Sequence, residues 1–171
     1  MIDHLPDRLD LLATADAGRV LRGRISVASL ERVVPVLSST AGELQVCINL
    51  GKDPDGTRYL SGTIQGAVEL RCQRCLEPLR MALNLAFRLG IVRSNEAARE
   101  LHERYEPLIV AAEPTRIAEI IADEVLLALP LVPAHEDDAQ CHDFVKAYRP
   151  QESNTRKNPF AVLAGLKQKQ Q

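Results

Sequence analysis

The strongest pattern in the chain is an alternation. Leu79, Met81, Leu83, Leu85, Phe87, Leu89 and Ile91 take every odd position of their stretch, and a period of two sustained this long predicts a β-strand with one buried face. Leu44, Val46, Ile48 and Leu50 alternate in the same way, the turn-rich Lys52-Asp53-Pro54-Asp55-Gly56 follows, and Ile64, Val68 and Leu70 resume the alternation. Together they predict a long hairpin arm arriving at Cys72. Upstream, Val20 to Val27 alternates loosely and suggests a strand, and Leu30, Val33, Val34 and Leu37 stand at helical spacing in a short turn limited by Pro35. Downstream, residues 94–105 are charged and suit a loose helix or a loop, and Leu108 to Ala111 suits a short strand. Thr115 is placed to cap an amphipathic helix in which Ile117, Ile120, Ile121, Val125 and Ala128 recur every three to four residues until Pro130.

These elements predict an α+β fold, with an antiparallel sheet and a Cys-x-x-Cys knuckle packed against one long helix. Strands do not alternate with helices as a parallel βαβ sheet requires. The expected organisation is a lead-in over 1–14, an α+β core domain over 15–135, an acidic and polar linker over 136–157 and a C-terminal docking peptide over 158–171, the tail being partly disordered. In that peptide Asn158 and Pro159 lead into Phe160, Leu163 and Leu166, which share a face if the segment folds as a short helix. Such a helix is marginal alone and forms mainly against a partner surface.

Composition narrows the function. At 171 residues and 46% hydrophobic, the chain is long enough for one sizeable core. A net charge of -2 excludes binding of nucleic acid by bulk positive charge, and three Phe, three Tyr and no Trp leave few platforms for stacked bases. The charge is segregated, however: residues 1–93 carry 12 basic and 10 acidic groups, 94–145 carry 3 and 12, and 146–171 carry 6 and 1. Any polyanion must therefore be held locally. The first residues lack the basic and apolar regions of a secretory signal, and no apolar run approaches the roughly 18 residues of a membrane span. A cytoplasmic protein with reduced thiols is expected, with no membrane partner.

Cys72-Gln73-Arg74-Cys75 is the sharpest local motif. A two-residue gap lets both thiolates converge on one ion, and Zn2+ favours a tetrahedral set of sulfur and nitrogen ligands. The second pair comes from the cluster past Pro130, giving Cys72, Cys75, His135 and Cys141, with His142 the alternative fourth ligand. A structural zinc and a turn of reduced thiols held by packing are both consistent with this spacing. A redox thiol is less so, because it needs a helix N-terminus and the run from Leu79 is a strand. Arg71, Arg74, Arg80, Arg88 and Arg93 cluster around and after the motif. Guanidinium groups suit bidentate phosphate contacts, although Arg80 and Arg88 also have the parity of solvated strand residues. Cys47 reads as a small packing residue. Glu136-Asp137-Asp138 reads as a solvated loop, and there is no Walker loop, Gly-x-Gly-x-x-Gly or Gly-x-Ser-x-Gly. No enzyme signature is present.

Four separated stretches resemble one family. They are Ala15-Asp16-Ala17-Gly18, the run from Leu70 through Cys72 and Cys75 to Pro78, the run from Glu124 to His135, and the run from Asn158 to Lys167. Taken in order they are similar to the YceD family, bacterial large ribosomal RNA subunit accumulation proteins with relatives in plastids. The resemblance implies a noncatalytic ribosome biogenesis factor that acts on precursor large-subunit ribosomal RNA or on assembling particles. It also implies further ligand-type residues after the helix, at His135 and Cys141, which favours the zinc reading. RNA contact is then expected at Arg71, Arg74 and Arg80. The alternative is an adaptor whose C-terminal peptide docks a ribosomal protein or a ribonuclease without touching RNA.

Overall fold

In the computed structural model, residues 5–136 and Cys141 are described. In chain order the elements are β1 (Arg8–Leu9), α1 (Leu11–Asp16), β2 (Val20–Ser26), two 3-10 turns at Val27–Ser29 and Val34–Val36, β3 (Glu43–Lys52), β4 (Arg58–Arg71) and β5 (Pro78–Val92). Then come α2 (Asn95–Arg99), β6 (Glu106–Ile109), β7 (Thr115–Arg116) and α3 (Ile117–Ala128). By contact the chain divides into two units, Met1–His135 and Glu136–Gln171, and all of these elements belong to the first.

The fold is α+β, as the pattern implies. Strands β2 to β6 form one sheet in sequence order. The pairs from β2 to β5 are antiparallel, and β5 to β6 is parallel. The sheet is thus mostly antiparallel, as expected, with one parallel step at β6. That step arises because residues 93–105, with α2 among them, carry the chain back along the sheet before β6, and a parallel neighbour needs a crossover of about a dozen residues. The expected helix is α3, three turns long, and the shorter α1 and α2 accompany it.

Alternation decides which side of the sheet is wet. Leu44, Val46, Ile48 and Leu50 of β3, Leu60, Ile64, Val68 and Leu70 of β4, and Leu83, Leu89 and Ile91 of β5 are buried on one face. They join Leu11 and Ala15 of α1, Val27, Leu30 and Val33, and Ile117, Ile120, Ile121 and Val125 of α3 in one core cluster. Each such aliphatic side chain contributes about 1.5–3 kcal/mol on leaving water. Gly62 makes a notch in this face, since a Cβ there would collide with the ring of Phe87, its partner across β4 and β5.

Residues 5–16 are part of this core through Leu5, Leu11 and Ala15. The Asp10 carboxylate accepts the Ala13 N–H at 3.0 Å and caps α1. Thr115 does not cap α3, contrary to expectation. It pairs with Leu9 in the small β1–β7 sheet, Arg116 takes the cap position, and the first helical N–H, of Ile117, reaches the Asp7 carbonyl at 3.1 Å. Backbone pairing thus satisfies a donor that a threonine side chain would otherwise serve.

At the far end of the β3–β4 hairpin, Asp53 is held on several sides. Its Oδ1 accepts the Thr57 N–H at 2.8 Å, and its Oδ2 accepts from the Tyr105 hydroxyl at 2.9 Å and Arg104 at 2.6 Å. The carboxyl is 8% exposed. Burial pushes its pKa up, but the bonds from Tyr105, Thr57 and Arg104 outweigh that and hold it below its ordinary 3.8. Tyr105 stacks on Tyr59 with ring centroids 6.3 Å apart, and Arg88 and Arg104 lie over its ring at 5.9 and 5.1 Å.

Candidate metal centre

The connection between β4 and β5 is Cys72 to Glu77, a turn too long for a two-residue hairpin and tightened by its own backbone. Cys72 N–H donates to the Glu77 carbonyl at 3.0 Å, and Leu76 N–H donates to the Cys72 carbonyl at 2.9 Å. Leu76 sits at φ 65°, the left-handed conformation that turns the chain back into β5. The result presents Cys72 and Cys75, both buried, on the inner side of the turn.

The end of α3 is tied to the same turn. Gln73 N–H donates to the Pro133 carbonyl at 2.8 Å, which brings the next residues, and so His135, against the cysteines. Cys75 Sγ and His135 Nδ1 are 3.4 Å apart. Tetrahedral Zn–S and Zn–N bonds of about 2.3 and 2.0–2.1 Å place such a pair about 3.5 Å apart, so the spacing fits two ligands of one ion. The other ring nitrogen, Nε2, lies 3.2 Å from the Pro78 carbonyl. A carbonyl only accepts, so Nε2 donates to it, and in the neutral ring that leaves the Nδ1 lone pair for a metal.

Cys72, Cys75, His135 and Cys141 together form a Cys3His group whose ligand atoms all lie within 4.8 Å of one another, and it could hold a metal ion. The electrostatics suit that role. Burial alone would raise the Cys72 thiol, but hydrogen bonds from the backbone N–H groups of Cys75, His135 and Arg74 bring it down to about 5 from an ordinary 9.0. The Arg74 N–H lies 3.4 Å from the sulfur. A thiolate is the ligand form that a metal needs.

Arg71 and Arg80 lie on the solvent side of the ribbon at its knuckle end, Arg71 opposite Pro78 and Arg80 opposite Glu69. Arg74 is in the turn and exposed. The three arginines expected at the RNA are thus gathered at one end of the sheet. Asn158, Pro159, Phe160, Leu163 and Leu166, and the alternative ligand His142, lie outside the described residues. The sequence reading missed the Pro78 carbonyl and the Gln73 N–H, because backbone groups leave no residue-type signature. Pro78 was nonetheless adjacent to the motif.

Residues 60–167 match the family described as Large ribosomal RNA subunit accumulation protein YceD. The chain is 34% identical over 173 residues to the Large ribosomal RNA subunit accumulation protein YceD of Haemophilus influenzae, covering 96% of this chain and 97% of that protein. No solved structure matches significantly. The matched stretch contains the whole knuckle and the helix that brings His135 to it, and the likeness runs almost end to end, so the chain belongs to the YceD family.

Proposed function

We propose that this protein promotes the accumulation of large-subunit ribosomal RNA as a noncatalytic factor that binds precursor RNA or assembling particles in the cytoplasm. The observation that carries the reading is its 34% identity, over 96% of the chain, to a protein named for that accumulation. The Cys3His group serves as a structural Zn2+ site in this reading. Zinc is redox-inert and prefers this donor set in a closed tetrahedron, so its contribution is to lock the β4–β5 turn to the segment after α3. Arg71, Arg74 and Arg80, presented around that locked turn, make the phosphate contacts.

Crosslinking in cells followed by sequencing of the bound RNA tests this. Enrichment of large-subunit precursor RNA, lost in Arg71→Glu/Arg74→Glu and retained when residues 158–171 are deleted, is the expected result. The reverse pattern, with RNA lost only on that deletion, would support the adaptor that docks a ribosomal protein or ribonuclease. No enrichment of ribosomal RNA in the wild type overturns direct RNA binding and favours the adaptor, which docks a protein without touching RNA.

A further inference from the structure

The sheet has a second face, and its chemistry is unlike that of the chain as a whole. Register places Arg22 beside Cys47, Thr63 and Ala86, Arg24 beside Gln45, Gln65 and Asn84, and Val20 beside Asn49, Ser61 and Arg88. Ala67 and Ala82, Glu69 and Arg80, and Arg71 and Pro78 continue the same side toward the knuckle. Arg22, Arg24, Arg71, Arg80 and Arg88 are all exposed there. The acidic residues on these strand positions are Glu43 and Glu69, so a face of a chain with charge -2 carries five arginines against two glutamates. Arg24 meets Glu43 at 3.6 Å, both well exposed, a pairing that costs little to exchange for another anion.

Between the arginines the surface is small and polar. Ala82 and Ala86 keep it low, and Gln45, Asn49, Gln65, Asn84, Ser61 and Thr63 supply neutral donors and acceptors. Gln65 Nε2 and Asn84 Oδ1, 3.3 Å apart, already form a short amide ladder. The tyrosines near this side are engaged with each other, and Tyr105 is 7% exposed. Tyr59 is half-buried, so among the described residues no fully exposed ring stands on this face as a platform for a splayed base. From Arg80 to Arg88 is about 27 Å along β5, and from β2 to β5 about 14 Å across.

We infer that this open face binds double-helical RNA through its backbone. The inference rests on the proposed role in ribosomal RNA accumulation and names the form of RNA and a surface well beyond the knuckle. Guanidinium groups along the track take phosphates, and the amide and hydroxyl rows take 2′-hydroxyls across the shallow groove of an A-form duplex. A face without stacking rings selects helix shape over base sequence.

The test uses the full chain with three probes: an RNA duplex of roughly 20 base pairs, one of its strands alone, and the DNA duplex of the same sequence. The RNA duplex is expected to bind best. Arg22→Gln/Arg24→Gln, on the strand farthest from the knuckle, should weaken it about ten-fold at physiological salt and reduce the slope of log affinity against log salt by about 1.8. Gln45→Ala/Gln65→Ala should narrow the preference for RNA over DNA, with the salt slope kept. Thermal melts establish that each variant is folded. An unchanged slope in Arg22→Gln/Arg24→Gln, or tighter binding of the single strand, overturns the inference. If binding is lost only in Arg71→Glu/Arg74→Glu, the face is wrong and RNA contact at the knuckle stands. Absence of binding to all three probes sinks both readings.

Discussion

Leu76 holds a conformation that suits glycine, with φ 65°, while its side chain is 54% exposed and packs little. The left-handed region costs a branched L-residue about 1–2 kcal/mol, partly offset by the entropy a glycine would lose. Leu76→Gly is therefore expected to raise stability by roughly 0.5–1 kcal/mol, read as a higher urea midpoint with an unchanged slope. A lower midpoint would show that the side chain contributes packing. Asp53 yields the pH prediction. Its folded pKa lies below the ordinary 3.8, so its contribution is present above about pH 4 and disappears as the pH falls through the depressed value. The stability gap between the protein and Asp53→Asn should be constant from pH 5 to 7 and close on acidification. A gap that widens instead would mean that Asp53 is held protonated. Neither residue was legible in advance. A positive φ on leucine has no sequence signal, and Asp53 read as one more turn residue because its partners Arg104 and Tyr105 lie about 50 residues away.

Among the elements, β3, β4 and β5 could be read almost to their ends, since one wet and one dry face impose a period of two. The crossover before β6 could not be, because four residues say nothing about the direction of their neighbour. Thr115 failed as a cap for a related reason, its place being decided by Leu9 more than a hundred residues earlier. Gly66 is the place in the ribbon where a positive φ coincides with a close approach. It stands at φ 154°, and a Cβ would meet Leu44 Cδ2 at 2.7 Å and the Glu43 carbonyl at 3.2 Å. Gly66→Ala adds backbone strain to overpacking and should cost roughly 2 kcal/mol or more. Calorimetry that finds an unchanged melting temperature would show that β3 yields there.

At the scale of the molecule, the Cys-x-x-Cys motif marked a candidate metal site, and His135 and Cys141 were legible as its further ligand-type residues. What the sequence could not show is that the site closes on the carbonyl of Pro78. About one zinc ion per chain is expected by elemental analysis of protein purified under reducing conditions, and a strong chelator should lower the melting temperature of the protein but not that of Cys72→Ser/Cys75→Ser. Zinc near zero in the wild type would remove the site. The arginine face was hidden differently: each arginine had visible parity, but only the pairing of four strands reveals that the parities coincide. The notch at Gly62 has a last consequence for the β4–β5 ribbon. Alternation alone tolerates a slip of two residues, which leaves every apolar side chain on its proper side. Such a slip would drive Phe87 onto Leu60 or Ile64 in place of a glycine. Ring and notch thus act as a key in a lock partway along the ribbon, independent of the knuckle, so Cys72→Ser/Cys75→Ser should fray one end while the strands stay in step.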